Sequence, residues 1–294
     1  MNRPAECIAC LINSRTGDLR EVGLGEEAYY HTLLSLSNLI LKSRTRAFSE
    51  SFRVIAEASG KNDPYWEKKQ VLNSLAQRVL ELIEGEEMRE EDLLRLGAAA
   101  NSFDTSVLGY EFNPESFSLE KLQEPLAIDE TGKIVWEKIG TIAYVLDNSG
   151  EAVIDAFIIT KLSELGYRVL AVAREDPYEI DVTATELEKI LGKGAEVLKS
   201  RGNLSPLYAL ERDTLVGKRL READLIIAKG IANLEGYIDS GRWLKDKAFF
   251  LLRAKCPVIA RAFEVQKGSP IAIMEETAWK NSQRIKWNGV TASV

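Results

Sequence analysis

The chain has 294 residues, enough for one large domain or two unequal ones. Hydrophobic residues make up 45% and charged residues 28%, an ordinary globular balance with material for a substantial core. The net charge of −7 counts against a nucleic-acid partner or an anionic membrane surface, and no apolar run reaches the length needed to cross a bilayer.

Residues 1 to about 100 read as helices. Glu26–Lys42, Thr45–Ser59, Pro64–Glu84 and Glu90–Ala100 carry apolar residues at helical spacings with charges between them. Asp63-Pro64 has the form of a helix start, with Pro at the first position. Residues 101–140 read as a mixed connector rich in turn signals such as Asn113-Pro114. From Thr141 the texture changes. The runs Ile142–Leu146, Arg168–Ala173, Glu196–Lys199, Leu225–Ala228, Phe249–Leu252 and Val258–Ala260 read as strands. Between the earlier ones lie the helical patterns Val153–Leu165, Thr185–Leu191 and Leu207–Ala223. Such alternation predicts a mainly parallel sheet covered on both faces. The division expected is an α-helical part, 1–100, and an α/β part, 101–294.

The first of these strands ends in Asp147-Asn148-Ser149-Gly150-Glu151, with Asp155 one helical turn on. Groups just past the carboxyl end of a parallel strand sit in the ligand crevice of an α/β sheet. Oxygen side chains there can take a hard cation, and the following helix N-terminus an anion. The competing reading is an N-cap and turn, which the same residue types favour. About one βαβ unit later comes Asp181, beyond the next strand. It either approaches Asp147 or, like Thr183, caps the helix near Ala184. A third strand ends in Lys229-Gly230, followed by Asn233 and Glu235. A lysine there suits phosphate oxygens, while most lysines are merely exposed. Asn101 and Asp104 lie at the junction of the two parts. Because the chain is acidic, a phosphate site needs local cationic help from a metal or a placed lysine.

The three cysteines cannot all pair within the chain, and the amino end lacks an apolar secretion signal. A reduced, cytoplasmic setting is therefore expected. Cys7-x-x-Cys10 is a lone CxxC; only Cys256 and His31 remain as further soft or nitrogen ligands, without zinc spacing. Packing cysteines are expected first, a redox pair second and zinc last. His31 reads as structural, and no stacking platform for nucleic acid is visible.

Taken in order, these residues resemble the damage-control phosphatase superfamily, formerly domain of unknown function 89, in its stand-alone prokaryotic branch. The resemblance runs to about residue 275. It is carried by Cys7-x-x-Cys10, by Asp63-Pro64-Tyr65 with Lys69 and Asn73, and by Asn101-x-x-Asp104. Asp147-Asn148-Ser149-Gly150-Glu151 with Asp155, and Lys229-Gly230-x-x-Asn233-x-Glu235, complete it. The resemblance implies a Rossmann-like α/β/α sandwich bearing an N-terminal α-helical domain. It implies a divalent metal, Mg, Mn, Co or Ni, held by Asp147, Asn148 and a later Asp. Asp181 matches that Asp by position, with Asp176 as the alternative; Ile180 stands where the family has Asn.

The expected activity is metal-dependent hydrolysis of small phosphometabolites, such as damaged or surplus sugar phosphates. Lys229 is expected to neutralise a phosphate oxygen, and backbone N–H groups at Gly150 and Gly230 to add donors. Asn101 and Asp104 would position water or substrate. Glu151 and Glu235 would orient groups or move protons, with Ser149 and Asn233 on the substrate side. Water is favoured over Asp147 as nucleophile, because a carboxylate on a metal is partly neutralised. The rivals are an S-adenosylmethionine-dependent methyltransferase, which lacks its glycine-rich turn here, and a non-catalytic metal-binding regulator.

Overall fold

The computed structural model describes residues 5–39, 43–83, 85–103, 123–192 and 194–285. Five helices come first: α1 Ala5–Val22, α2 Glu26–Leu39, α3 Arg44–Ser59, α4 Trp66–Leu80 and α5 Glu90–Ala100. Then follow β1 Ile128–Asp129, β2 Thr141–Val145, α6 Glu151–Glu164, β3 Arg168–Arg174, α7 Ala184–Leu191 and β4 Glu196–Ser200. The chain closes with α8 Leu215–Glu222, β5 Leu225–Lys229, α9 Gly230–Asp239, β6 Ala248–Arg253, α10 Pro257–Phe263, β7 Pro270–Met274 and α11 Glu275–Ser282.

The strands form one sheet in the order β1-β7-β6-β5-β2-β3-β4. All neighbours are parallel except β6 and β7. Strand alternation sends Ile142 and Tyr144 of β2 to one face and Ala143 and Val145 to the other. The first face is covered by residues of α3–α7, the second by α8–α11. This is the α/β/α arrangement expected. Helices of the first hundred residues share one core with the sheet: Phe52, Leu72 and Leu94 lie in the same apolar cluster as Tyr144 and Leu251.

Two readings of the sequence are corrected. Val258–Ala260 is not a strand but lies in α10, whose N-cap is Cys256, with Pro257 at the first helical position. Pro there loses no hydrogen bond, because that N–H is unpaired in any helix. The connector also holds β1, which pairs with β7, a strand that the sequence reading did not register. His31 lies on an exposed face of α2, beside Glu27 and edge-on to the Tyr30 ring.

The second face is pinned by Glu275. Its carboxylate takes two hydrogen bonds from Arg242, at 2.7 and 2.6 Å, and one from Tyr237 at 2.8 Å. Burial works against ionisation, but these donors win and hold its pKa below the usual value. A depressed folded pKa stabilises above the unfolded value and is lost as pH falls through the folded one. Glu275→Gln is therefore expected to lower stability at pH 7 by about 1–3 kcal/mol. Urea titrations should show that deficit shrinking as the pH drops below about 4.

Candidate active site

The carboxyl ends of β2, β3, β5 and β6 open on one side of the sheet. Strand order reverses there, since β2 lies between β5 and β3, which is where α/β sheets hold ligands. The decisive local event is a zipper between two loops. After β2 and β3 the chain forms an antiparallel bridge, Asn148 with Asp181. Ser149 N–H donates to Ile180 O at 2.8 Å, and Val182 N–H to Asp147 O at 2.9 Å. Asp147, Asn148 and Asp181 consequently line one cleft. Ile180 buries its side chain in the core and offers only its carbonyl, a contact any residue makes. Asp176, the alternative, is exposed and outside the cleft.

The capping alternatives separate cleanly. Thr183, not Asp181, caps α7, in a reciprocal box with Glu186. The N-cap of α6 is Gly150, at φ +84°, and no side chain of 147–149 caps it. A Cβ at 150 would meet Phe103 at 2.9 Å, and the Gly150 N–H is taken by Asn73 Oδ1 at 2.7 Å. Ser149 Oγ is buried without a hydrogen-bond partner among the described residues.

Beneath the cleft lies a layer of buried polar groups. Asn101 caps α5 and donates through Nδ2 to Asp147 at 3.1 Å and to Glu151 at 2.8 Å. Its Oδ1 accepts from Arg253 N–H at 3.1 Å. Asn101 is thus a clamp on the carboxylates and does not line the cleft. Lys229 is fully buried; its Nζ lies 2.6 Å from Asp155 and 3.7 Å from Glu151. Burial pulls the Lys229 ammonium down, but Asp155 and Glu151 outweigh it and hold it charged. Burial also pushes Glu151 and Asp155 above the usual carboxylate range, with Lys229 opposing.

Gly230, at φ +75°, is where the Asp147 carboxylate rests: a Cβ there would lie 1.8 Å from its oxygen. The missing side chain at this glycine is what lets Asp147 approach so closely. Asn233 spends Nδ2 on the carbonyls of Leu146 and Lys229, at 2.9 and 2.8 Å, and accepts from Ser205. Glu235 does line the cleft, 2.6 Å from Arg44. Asp104 falls outside the described residues.

The cations on the cleft wall were not read from the sequence: Arg44, Arg174 and Lys255. Arg174 closes β3 and donates to Asp181 and to Asn203 O. Lys255 follows β6, one strand beyond Lys229, and is almost fully buried. It carries the same signal as Lys229, a lysine at a parallel strand's carboxyl end, within a stretch that reads as core. Arg44 begins α3, an end anchored where Thr45 N–H and Oγ1 donate to Asp239 at 3.0 and 2.9 Å.

Known proteins share this architecture. A damage-control phosphatase of Archaeoglobus fulgidus is 32% identical over 233 residues, covering 76% of this chain and 80% of that protein. Damage-control phosphatase PH1575 of Pyrococcus horikoshii is 27% identical over 284 residues, covering 91% and 96%. The crystal structure of that organism's protein, described as a DUF89 family protein, superposes with a TM-score of 0.80 at 26% identity, covering 93% and 99%. Residues 4–271 match the family of the damage-control phosphatase ARMT1-like domain, and with the fold and cleft above, the chain belongs to that family.

Proposed function

We propose that the chain is a metal-dependent phosphatase acting on small phosphorylated metabolites, with the cleft between the β2, β3, β5 and β6 ends as its active site. The phosphatase role follows from the family. The observation that carries the finer reading is the Asn148–Asp181 zipper, which brings three oxygen-bearing side chains into a cleft that Arg174 and Lys255 also line.

The donor set suits a hard divalent ion. Among the described residues no three or more His, Cys, Asp or Glu side chains form a metal-holding group. Two carboxylates and one amide oxygen fit an ion such as Mg²⁺, which keeps solvent and takes substrate phosphate. Burial, with Asp147 and Glu179 adding to it and Arg174 opposing, pushes Asp181 up to about 8. Two buried acids on one cleft are a place where a nearby cation favours the charged forms. Asp147, Asn148 and Asp181 would hold it. When bound, the ion supplies Lewis-acid polarisation of the phosphoryl oxygens.

The chain's own groups do the rest. Lys255 and Arg174 supply fixed positive charge for the remaining phosphate oxygens. Asn101 and Gly230 fix the Asp147 carboxylate, and Lys229 neutralises Asp155 and Glu151 below it. Glu235 and Ser205 stand on the cleft wall within reach of a substrate's hydroxyl groups.

The test is release of phosphate from p-nitrophenyl phosphate and sugar phosphates, with and without Mg²⁺, Mn²⁺, Co²⁺ or Ni²⁺. Asp147→Ala should abolish metal-dependent turnover; unimpaired turnover refutes the assignment. Two lysine variants then separate roles. Lys255→Ala is expected to weaken inhibition by inorganic phosphate about tenfold. Lys229→Ala should lower folding stability together with kcat, because it leaves two buried carboxylates without their cation. A Lys229→Ala protein of parental stability, altered only in phosphate affinity, would show the reverse assignment.

A further inference from the structure

Two of the chain's three cysteines, Cys10 and Cys256, line the cleft, and Cys7 lies in the core behind them, although Cys256 is remote in sequence from the other two. Cys7 and Cys10 stand one turn apart on α1. Cys7 is sunk in the core of the second face, and Cys256, the N-cap of α10, packs against that same cluster. Cys10 and Cys256 both line the cleft, beside Arg44 and Glu235. Glu6 on α1 pairs with Arg261 on α10 at 2.8 Å, tying the two thiol-bearing elements together. The thiols also feel one another electrostatically. Burial pushes Cys7 up to about 11 and Cys256 above its usual value, and the neighbouring thiols add to both. Cys10 and Cys256 are both half-buried, and both are within electrostatic reach of the Arg44 guanidinium.

From this placement we infer that Cys10 and Cys256 form a reversible disulfide, a modification site that narrows the phosphate cleft under oxidising conditions. The closure half of this inference rests on the cleft being the phosphatase site. A helical i, i+3 pair holds its Cβ atoms about 5–6 Å apart, whereas a disulfide needs about 3.5–4.5 Å. Cys7 and Cys10 therefore cannot bridge without opening the first turns of α1. Cys10 and Cys256 sit on separate elements facing the same space.

The chemistry balances with a peroxide as oxidant. The Cys10 thiolate attacks the O–O bond of hydrogen peroxide, giving the sulfenic acid and, after proton uptake, one water. The Cys256 thiol then displaces the sulfenic oxygen, forming the S–S bond and releasing a second water. Two thiols thus supply two electrons, and a dithiol reductant reverses the step. The bridge holds the two Cα atoms about 4.4–6.8 Å apart. That links α1 across the cleft wall to the residue directly after Lys255.

The experiment treats the full chain with hydrogen peroxide, counts free thiols, and maps peptides after blocking. The expected result is a Cys10–Cys256 peptide pair within one chain and a free Cys7. Inorganic phosphate with Mg²⁺, followed by calorimetry, should bind about tenfold more weakly after oxidation and recover with dithiothreitol. In Cys10→Ser and in Cys256→Ser, the ratio of affinities before and after peroxide should be near unity. A Cys7–Cys10 bridge, a bridge between copies, or three surviving thiols overturns the site. A mapped Cys10–Cys256 bridge with unchanged phosphate affinity overturns the closure. Loss of the phosphatase reading is recognised separately, because the reduced protein would then hydrolyse no phosphate ester while the peptide map still decides the bridge.

Discussion

Gly230→Ala is expected to lower metal-dependent turnover by about 10²-fold or more, the scale seen when one preorganised charged group leaves a site. The added Cβ would fall 1.8 Å from an Asp147 oxygen and 2.3 Å from its carboxyl carbon. No adjustment of a few tenths of an ångström relieves that, so Asp147 must turn away. Turning breaks its hydrogen bonds from Asn101 and Asn148, both 3.1 Å, and misaims the carboxylate toward the ion. The positive φ adds strain of about 1–2 kcal/mol. Gly192→Ala is the control: it shares a positive φ, +59°, but its Cβ meets nothing within 4 Å. It should lose stability and keep turnover. If Gly230→Ala retains turnover within about threefold of the parent, Asp147 is not the group that the glycine accommodates in catalysis.

The second large effect is on stability and comes from a buried arginine that pairs with Glu179 of the cleft. Arg15 of α1 is fully buried and pairs with Glu179 and with Asp18. Asp18 also accepts from the Tyr65 hydroxyl. The guanidinium stacks near Phe52 and Tyr178, at 5.4 and 5.9 Å from the ring centres. Glu179 itself is held at φ 45°, a conformation that few non-glycine residues adopt, two residues before Asp181. Arg15→Met leaves buried carboxylates without their cation and is expected to destabilise by about 3–5 kcal/mol. Glu179→Gln keeps the shape and one hydrogen bond, so its loss should be about 1–3 kcal/mol. The milder variant tests function: because Glu179 adjoins Asp181, the metal concentration for half-maximal activity should rise more than KM for substrate. Urea unfolding of either variant within 0.5 kcal/mol (about the ordinary surface effect) would show that this link is not structural.

Much of the molecule is legible where signals are local. Glu90–Ala100 is read and found with the same bounds, because a first turn of acids and a small-residue face specify it. Leu225–Ala228 gains only Lys229. The misses have local reasons too. Val258-Ile259-Ala260 is apolar and β-branched, and a short buried helix gives the same pattern as a strand. The Pro257 start was the signal that separates them. Strand β7 begins with Pro270, tolerated at a first strand position, and the helix before it, α10, itself reads as a strand, so the helix-then-strand alternation that would announce β7 is hidden. Residue types also nominate Asp147, Asn148 and Asp181, and the fold brings all three to one cleft.

What the sequence determined by itself is the α/β alternation, the strand ends that carry polar residues, and the family. These follow from periodicity and turn chemistry, which act over a few residues. Tertiary structure alone decided which lysine meets the cleft. Lys229 and Lys255 end neighbouring parallel strands, yet one lies under the carboxylates and the other lines the opening. Lys229 is the last residue of β5, whereas Lys255 stands two residues past the end of β6, so where each strand stops decides what its lysine meets. The same holds for Cys256 beside Cys7 and Cys10, and for Arg15 beside Glu179: these residues lie far apart in the chain, and only packing brings them together.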